Sequence, residues 1–164
     1  MKAASPIKSI ADLKGKKVVA TTGTTNYQVL RNVNAQRGLG FELMGAKDHA
    51  DAAILIQQDR ADAFGMDDIL LYSLQANAPH PAELAVVGET LQVEPYAVML
   101  RKDDLEFKQL VDGVLTELIT SGEFTTLYQK WFQSPIPPRG INLNVPMSQE
   151  LQKNLQVLSD KSTT

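Results

Sequence analysis

Residues 21–25 place four threonines around a glycine, directly after the short apolar run of residues 18–20. The threonines are Thr21, Thr22, Thr24 and Thr25. Gly23 lets the backbone turn tightly, so the amides of Thr24 and Thr25 would lie at the N-terminus of the helix that follows. Amides, hydroxyls and the helix dipole together favour a carboxylate or a phosphate. The segment predicts an anion site, although the same residues also suit a plain helix N-cap.

Asp67 follows residues 61–66, which are predicted to form a strand. Ligands of open parallel sheets bind outside the carboxyl ends of the strands, and residues 21–25 belong to the same predicted edge. Donors for an anion and an acceptor for a cation at one edge suit the two charges of an α-amino acid. Asp67 fits equally well as the N-cap of the next helix, a role for which Asp68 competes.

His49 follows another predicted strand, residues 41–44, and falls in the first turn of the next helix at this same edge. A histidine at this position is either a ligand contact or a solvated loop residue. His49 and His80 do not have the spacing of metal ligands, and no cofactor-binding fingerprint is present. We therefore predict neither a metal nor a cofactor.

The overall composition is that of an ordinary globular protein, with 43% hydrophobic and 21% charged residues among 164. The net charge of −3 and the lack of a basic run make nucleic acid an unexpected partner. The chain has no cysteine, which excludes disulfides and thiol chemistry. The N-terminal residues lack the apolar stretch of a signal peptide.

Strand and helix patterns alternate along the first part of the chain, which predicts an α/β fold with a mainly parallel sheet flanked by helices. The predicted strands are residues 18–20, 41–44, 61–66 and 84–87. The predicted helices are residues 26–36, one that begins at Asp48, and one from about residue 67 to about residue 75. Ser9 and Asp12 are spaced as a capping box for one helical turn.

The pattern changes near residue 93. Residues 96–100 are predicted to form a strand, and two amphipathic helices separated by Gly122 follow. Their apolar positions include Phe107, Leu110, Val114 and Leu118 on the first helix, and Phe124, Leu127, Trp131 and Phe132 on the second. A Pro-rich extended segment begins at Ser134, and Ser148 is predicted to cap a last helix that ends near Leu158.

Five segments carry a resemblance to a known family. They are, in order, ADLKGKKVVATTGTT, AKDHAD, RADAFGMDD, EPYAVMLRKDD and SPIPPRGINLN. In this order they resemble the glutamate/aspartate periplasmic binding proteins of ABC transporters, members of the type 3 solute-binding protein family. The resemblance implies a periplasmic-binding-protein-like (type II) fold, in which two α/β lobes close on an amino acid. It also implies a periplasmic location and a membrane permease as partner.

By this resemblance, residues 5–92 are the second α/β lobe, and residues 93–133 are a return strand and two helices of the first lobe. Residues 134–164 are then a Pro-rich extended tail and a C-terminal helix. The rest of the first lobe is not in this sequence. The two helices would therefore leave apolar faces uncovered, and we expect a homodimer.

The resemblance also implies roles for the candidate ligand-binding residues. Thr24 and Thr25 would meet the α-carboxylate of the ligand, and Asp67 its α-ammonium group. Thr21, together with Thr22, would line the side-chain pocket. His49 would help to hold the side-chain carboxylate.

The leading hypothesis is a non-enzymatic component of an amino-acid transporter that binds glutamate or aspartate. An enzyme is the second hypothesis, because cyclohexadienyl dehydratases resemble the same fold, although the acid/base residues that they need are not found here. A truncated assembly module that binds no ligand is the third.

Overall fold

A computed structural model describes residues 1–159. This part of the chain divides into two compact units, Met1–Gln92 and the segment from Val93 onwards. None of the helices in the described part is both long enough and apolar enough to cross a membrane.

The first unit contains a three-stranded sheet in which all pairings are parallel. Strand β1 (Lys17–Thr21) is central, between β2 (Glu42–Ala46) and β3 (Ala63–Phe64). Apart from Lys17, every residue of β1 is buried, as expected for a strand that is covered on both faces. The predicted parallel α/β architecture is confirmed.

Helices cover both faces of this sheet. Alternate residues of β1 point to opposite faces, so they pack into two separate core clusters. Val18 and Ala20 belong to one core cluster with Leu30 of helix α1 (Thr25–Arg37). Val19 belongs to a second cluster with residues of helix α2 (His49–Gln57). A third helix, α3 (Asp68–Asn77), follows β3.

Capping residues are found at the start of α2 and at the end of α1. Asp48 caps α2, since its carboxylate accepts a hydrogen bond of 2.8 Å from the amide of Asp51. Helix α1 ends at Gly38, which has the left-handed backbone conformation with φ 60° that glycine adopts without strain.

The predicted turn at Ser9 is a 3-10 helix, Ile10–Leu13, and Asp12 stabilises it. The Asp12 carboxylate accepts hydrogen bonds from the amide of Lys8 (3.0 Å) and from the amide and hydroxyl of Ser9 (2.9 and 3.0 Å). These bonds favour the charged carboxylate and lower the pKa of Asp12 below its usual value.

We expect Asp12→Asn, which mimics the protonated carboxyl, to lower the melting temperature at pH 7. The pKa of Asp12 is depressed by folding, so its contribution is complete above the unfolded-state pKa and is lost as the pH falls through the folded-state pKa. The difference between variant and unmodified chain should therefore vanish in acid. Thermal melts across pH by circular dichroism measure this, and a difference independent of pH would contradict it.

Two predicted strands are wrong. Within residues 1–159, residues 84–87 form only an isolated antiparallel bridge, between Leu84 and Lys2, and residues 96–100 form no strand. Tyr96 is 76% exposed and Met99 is 95% exposed. An apolar run becomes a strand only when a neighbouring strand takes its backbone hydrogen bonds. In the described part of the chain, residues 96–100 are not paired into any sheet. The strand predicted for residues 61–66 is also shorter, reduced to Ala63–Phe64.

The second unit is helical, with α4 (Leu105–Thr120), α5 (Glu123–Phe132) and α6 (Gln149–Val157). The interruption between α4 and α5 includes Gly122, as predicted. Ser148 caps α6 by accepting a hydrogen bond of 3.1 Å from the amide of Leu151. The segment before α6, predicted to be extended, contains a turn at residues 137–140 that is closed by a bridge between Ile136 and Ile141.

Gly65, directly after β3, is packed against Leu30 of α1. A Cβ atom at Gly65 would lie 2.5 Å from Leu30 Cδ1 and 3.3 Å from Leu30 Cγ, and Leu30 is buried. Gly65→Ala should therefore destabilise the chain by about 1–3 kcal/mol through overpacking. Gly113→Ala is the matched control. Gly113 lies inside α4 with nothing within 4 Å of an added Cβ, so alanine should stabilise by about 0.5–1 kcal/mol.

Urea unfolding of both variants measures the two effects. Equal stability of Gly65→Ala and the unmodified chain would show that Leu30 moves aside without cost. The packing account of this helix–sheet contact would then be wrong.

Candidate functional site

The candidate residues lie at the carboxyl edge of the sheet, where β1, β2 and β3 all end. The strand order β2-β1-β3 means that the chain moves from β1 to one side and then returns past β1 to form β3. The crevice beside the end of β1 is therefore a topological switch point, the place where open α/β sheets bind ligands.

The segment after β1 forms the N-terminus of α1, as predicted. Gly23 has φ +77°, a conformation that other residues adopt only with strain. The Thr24 hydroxyl donates to the Thr21 carbonyl (2.7 Å) and accepts from the amide of Tyr27 (3.3 Å). The Thr24 side chain is thus an N-cap, the structural alternative that the sequence left open.

The backbone amides at the N-terminus of α1, unlike the Thr24 side chain, are available to a ligand. The N-cap residue and the first turn of a helix have amides without carbonyl partners inside that helix. Thr24 is the N-cap of α1, and Thr25 and Asn26 are its first two residues. Their N–H groups and the positive end of the helix dipole make this end suitable for a carboxylate. Thr25 is exposed.

Thr21 and His49 are brought together from different elements. Thr21 ends β1 and His49 begins α2, and Thr21 Oγ1 lies 2.6 Å from His49 Nδ1. Thr21 is only 8% exposed, so this hydrogen bond fixes the orientation of the ring from the interior side. When the threonine hydroxyl donates to Nδ1, the ring proton is on Nε2, which is then a donor for a ligand.

Thr22 is placed at the same edge, but it extends the pairing of β1 with β2. Its amide (2.9 Å) and its hydroxyl (3.0 Å) both donate to the carbonyl of Ala46. The hydroxyl oxygen keeps acceptor capacity, and Thr22 is exposed. Its ordered contacts in the structure are those of a sheet residue.

Asp67 occupies the N-cap position of α3, yet its side chain makes no capping hydrogen bond in the described structure. Its carboxylate Oδ1 instead accepts a hydrogen bond of 2.9 Å from Nδ2 of Asn26, in the first turn of α1. This bond spans the switch point and brings the carboxylate to the N-terminus of α1. Sequence reasoning did not identify Asn26, although an amide side chain directly after the threonine segment was a usable signal.

Other parts of the described chain are weaker candidates for a binding site. Among residues 1–159 no group of three His, Asp, Glu or Cys side chains could hold a metal ion. A small surface pocket is lined in part by Lys2, Gln57, His80 and Glu83. Gln57 ends α2 whereas His49 begins it, so this pocket is at the opposite end of that helix from the candidate site.

Comparison with known proteins gives consistent results over nearly the whole chain. The chain is 45% identical over 156 residues to an L-glutamate/L-aspartate-binding protein of Pseudomonas aeruginosa. It is 40% identical over 156 residues to a glutamate/aspartate import solute-binding protein of Escherichia coli. Both matches cover 95% of this chain.

The chain is therefore similar to glutamate/aspartate-binding proteins over nearly its whole length. It spans about half the length of these curated relatives, 52% of each. No protein-family model matches the chain.

Solved structures of amino-acid-binding proteins give a consistent result. The chain is similar to an ancestral arginine-binding protein bound to arginine, with a TM-score of 0.67 and 30% identity. The match covers 80% of this chain and 57% of that one. An ancestral arginine-binding protein bound to glutamine is also similar, with a TM-score of 0.64 and 32% identity. The expected fold family is therefore confirmed.

Proposed function

We propose that this solute-binding protein binds an acidic α-amino acid at the carboxyl edge of the sheet and presents it to an ABC transporter permease in the periplasm. The observation that carries the proposal is the hydrogen bond between Asn26 and Asp67. It joins a helix end with amide donors to a carboxylate, so the two charges of an amino acid find complementary partners at one place.

The proposed roles follow the chemistry of each group. The amides of Thr24 and Thr25 bind the α-carboxylate, together with the dipole of α1. Asp67 binds the α-ammonium group through a charge-assisted hydrogen bond. The Thr24 hydroxyl serves the ligand only indirectly, because it caps the helix that presents these amides.

The proposed pocket for the ligand side chain lies between the ends of β1 and α2. His49, held by Thr21, donates from Nε2 to the side-chain carboxylate, and Thr22 lines the same pocket. The names of the relatives, which refer to glutamate and aspartate, support an acidic ligand. Binding rather than turnover is the proposed activity, as in those solute-binding relatives.

We propose that residues 5–92 correspond to the second lobe of such a protein and residues 93–133 to elements of the first. All the ligand contacts named above come from one sheet edge of the first unit. They would bury only one side of the ligand, so we expect weak binding by this chain, with a dissociation constant of about 1 mM.

Isothermal titration with glutamate, aspartate, glutamine and asparagine tests the proposal. Glutamate or aspartate should give the tightest of the four dissociation constants, because only they present a carboxylate to His49. No heat with any of them, at concentrations up to tens of millimolar, would favour the assembly module that binds no ligand. Turnover of prephenate or arogenate would favour the dehydratase-like enzyme.

We also propose that this chain forms a homodimer through its second unit. A dimer of this kind would give the chain an additional role in assembly. The observation behind this proposal is a row of apolar side chains on α4 and α5 that remain in contact with water. The exposed set is Phe107, Leu110, Val114, Leu115, Leu127 and Trp131. A large exposed apolar surface usually marks an interaction site.

A further inference from the structure

We infer that Asn26 is a positioning residue for recognition of the ligand α-ammonium group. This inference rests on the proposed function and adds to it the group that fixes the Asp67 carboxylate. Asn26 is the second residue of α1, and its Nδ2 donates to Asp67 Oδ1 over 2.9 Å. Both residues are half-buried, so solvent competes only partly with this bond.

The position of Asp67 explains why such a residue is needed. An aspartate at an N-cap ordinarily turns its carboxylate back to the amides of its own helix. Asp67 makes no such capping bond in the described structure, and Asp68 accepts a hydrogen bond of 2.7 Å from the amide of Ile69. The side-chain amide of Asn26 draws the Asp67 carboxylate away from α3 and towards the first turn of α1.

The geometry has a chemical consequence for the ligand. Asn26 Nδ2 contacts one carboxylate oxygen, Oδ1, and a carboxylate has lone pairs on both oxygens. A carboxylate can accept about four hydrogen bonds in all, so Asp67 can bind an ammonium group in addition to Asn26. The backbone amide of Asn26 lies beside those of Thr24 and Thr25 at the same helix end. Asn26 thus couples the anion-binding and cation-binding halves of the site.

The alternative is that Asn26 only ties α1 to α3. Glutamate and glutarate separate the two roles, because glutarate has both carboxylates and lacks the α-ammonium group. A positioning residue for the ammonium site affects glutamate alone, whereas a purely structural residue affects both ligands equally.

The experiment compares Asn26→Ala, Asn26→Leu and Asn32→Ala in titrations of the full chain with both ligands, followed by NMR. Asn26→Leu keeps the side-chain size without the donor. Asn32 is an exposed residue of the same helix and provides the matched control. We expect both Asn26 variants to weaken glutamate binding about 3- to 10-fold and to leave glutarate binding unchanged. Asn32→Ala should change neither.

Equal weakening of both ligands by the Asn26 variants, or unchanged glutamate binding, would overturn the positioning role while the proposed function stands. Absence of glutamate binding by the unmodified chain would overturn the proposed function, and the positioning role with it.

Discussion

Asp67→Ala should lower the affinity of the chain for glutamate by about ten- to a hundredfold. A charge-assisted hydrogen bond to a carboxylate contributes about 1.5–3 kcal/mol, and the variant removes the only charged acceptor proposed for the α-ammonium group. Affinity for glutarate should change much less, because that ligand has no ammonium group. Titration calorimetry with both ligands measures the difference.

Asp68→Ala is the matched control for this prediction. It removes the same charge one residue away, and Asp68 is exposed with its carboxylate turned to the amide of Ile69. We expect near-normal glutamate affinity for this variant. Equal losses in the two variants would mean that net charge, rather than the position of Asp67, determines binding.

Trp131→Glu should convert a dimer of the purified chain into a monomer. Trp131 is 47% exposed on α5, and Leu110 is 61% exposed on α4. Complete burial of one such side chain contributes about 1.5–3 kcal/mol. About half of each of the six exposed side chains contacts water, so covering this surface would contribute about 5–9 kcal/mol in each protomer. A second copy of the same surface is the simplest cover, since two-fold self-association is the commonest form of oligomer.

Light scattering at micromolar concentration measures the assembly. We expect about twice the chain mass of 18.0 kDa for the unmodified protein and a single chain mass for Trp131→Glu. Gln129→Glu introduces the same charge at an exposed position of the same helix and should leave the dimer intact. A monomeric unmodified chain with cooperative unfolding would refute the dimer.

Local sequence signals were sufficient for most of the first unit. Apolar residues 18–20 predicted a strand that is buried on both faces, and Asp48 predicted the start of α2. The conformational freedom of Gly23 and the N-cap preference of Thr24 were also readable, because each depends on the residue and its immediate neighbours. The edge of the sheet that collects the candidate residues followed from the alternation of strand and helix.

Features that depend on distant partners were not predictable. Residues 96–100 have the composition of a strand, but strand formation requires a neighbour that local sequence does not reveal. The bond between Asn26 and Asp67 joins residues 41 positions apart. The choice of Asp67 between its own helix and α1 is therefore a tertiary effect. The bond between Thr21 and His49 has the same origin.

The most direct test of the proposed site is a titration of the ¹⁵N-labelled chain with glutamate, followed by NMR. We expect saturable shifts at millimolar glutamate in the backbone amides of Thr24, Thr25 and Asn26, with matching changes in the His49 ring. These signals should move together with one dissociation constant. Saturable shifts confined to other residues, or none at the N-terminus of α1, would contradict binding of an amino acid at this edge.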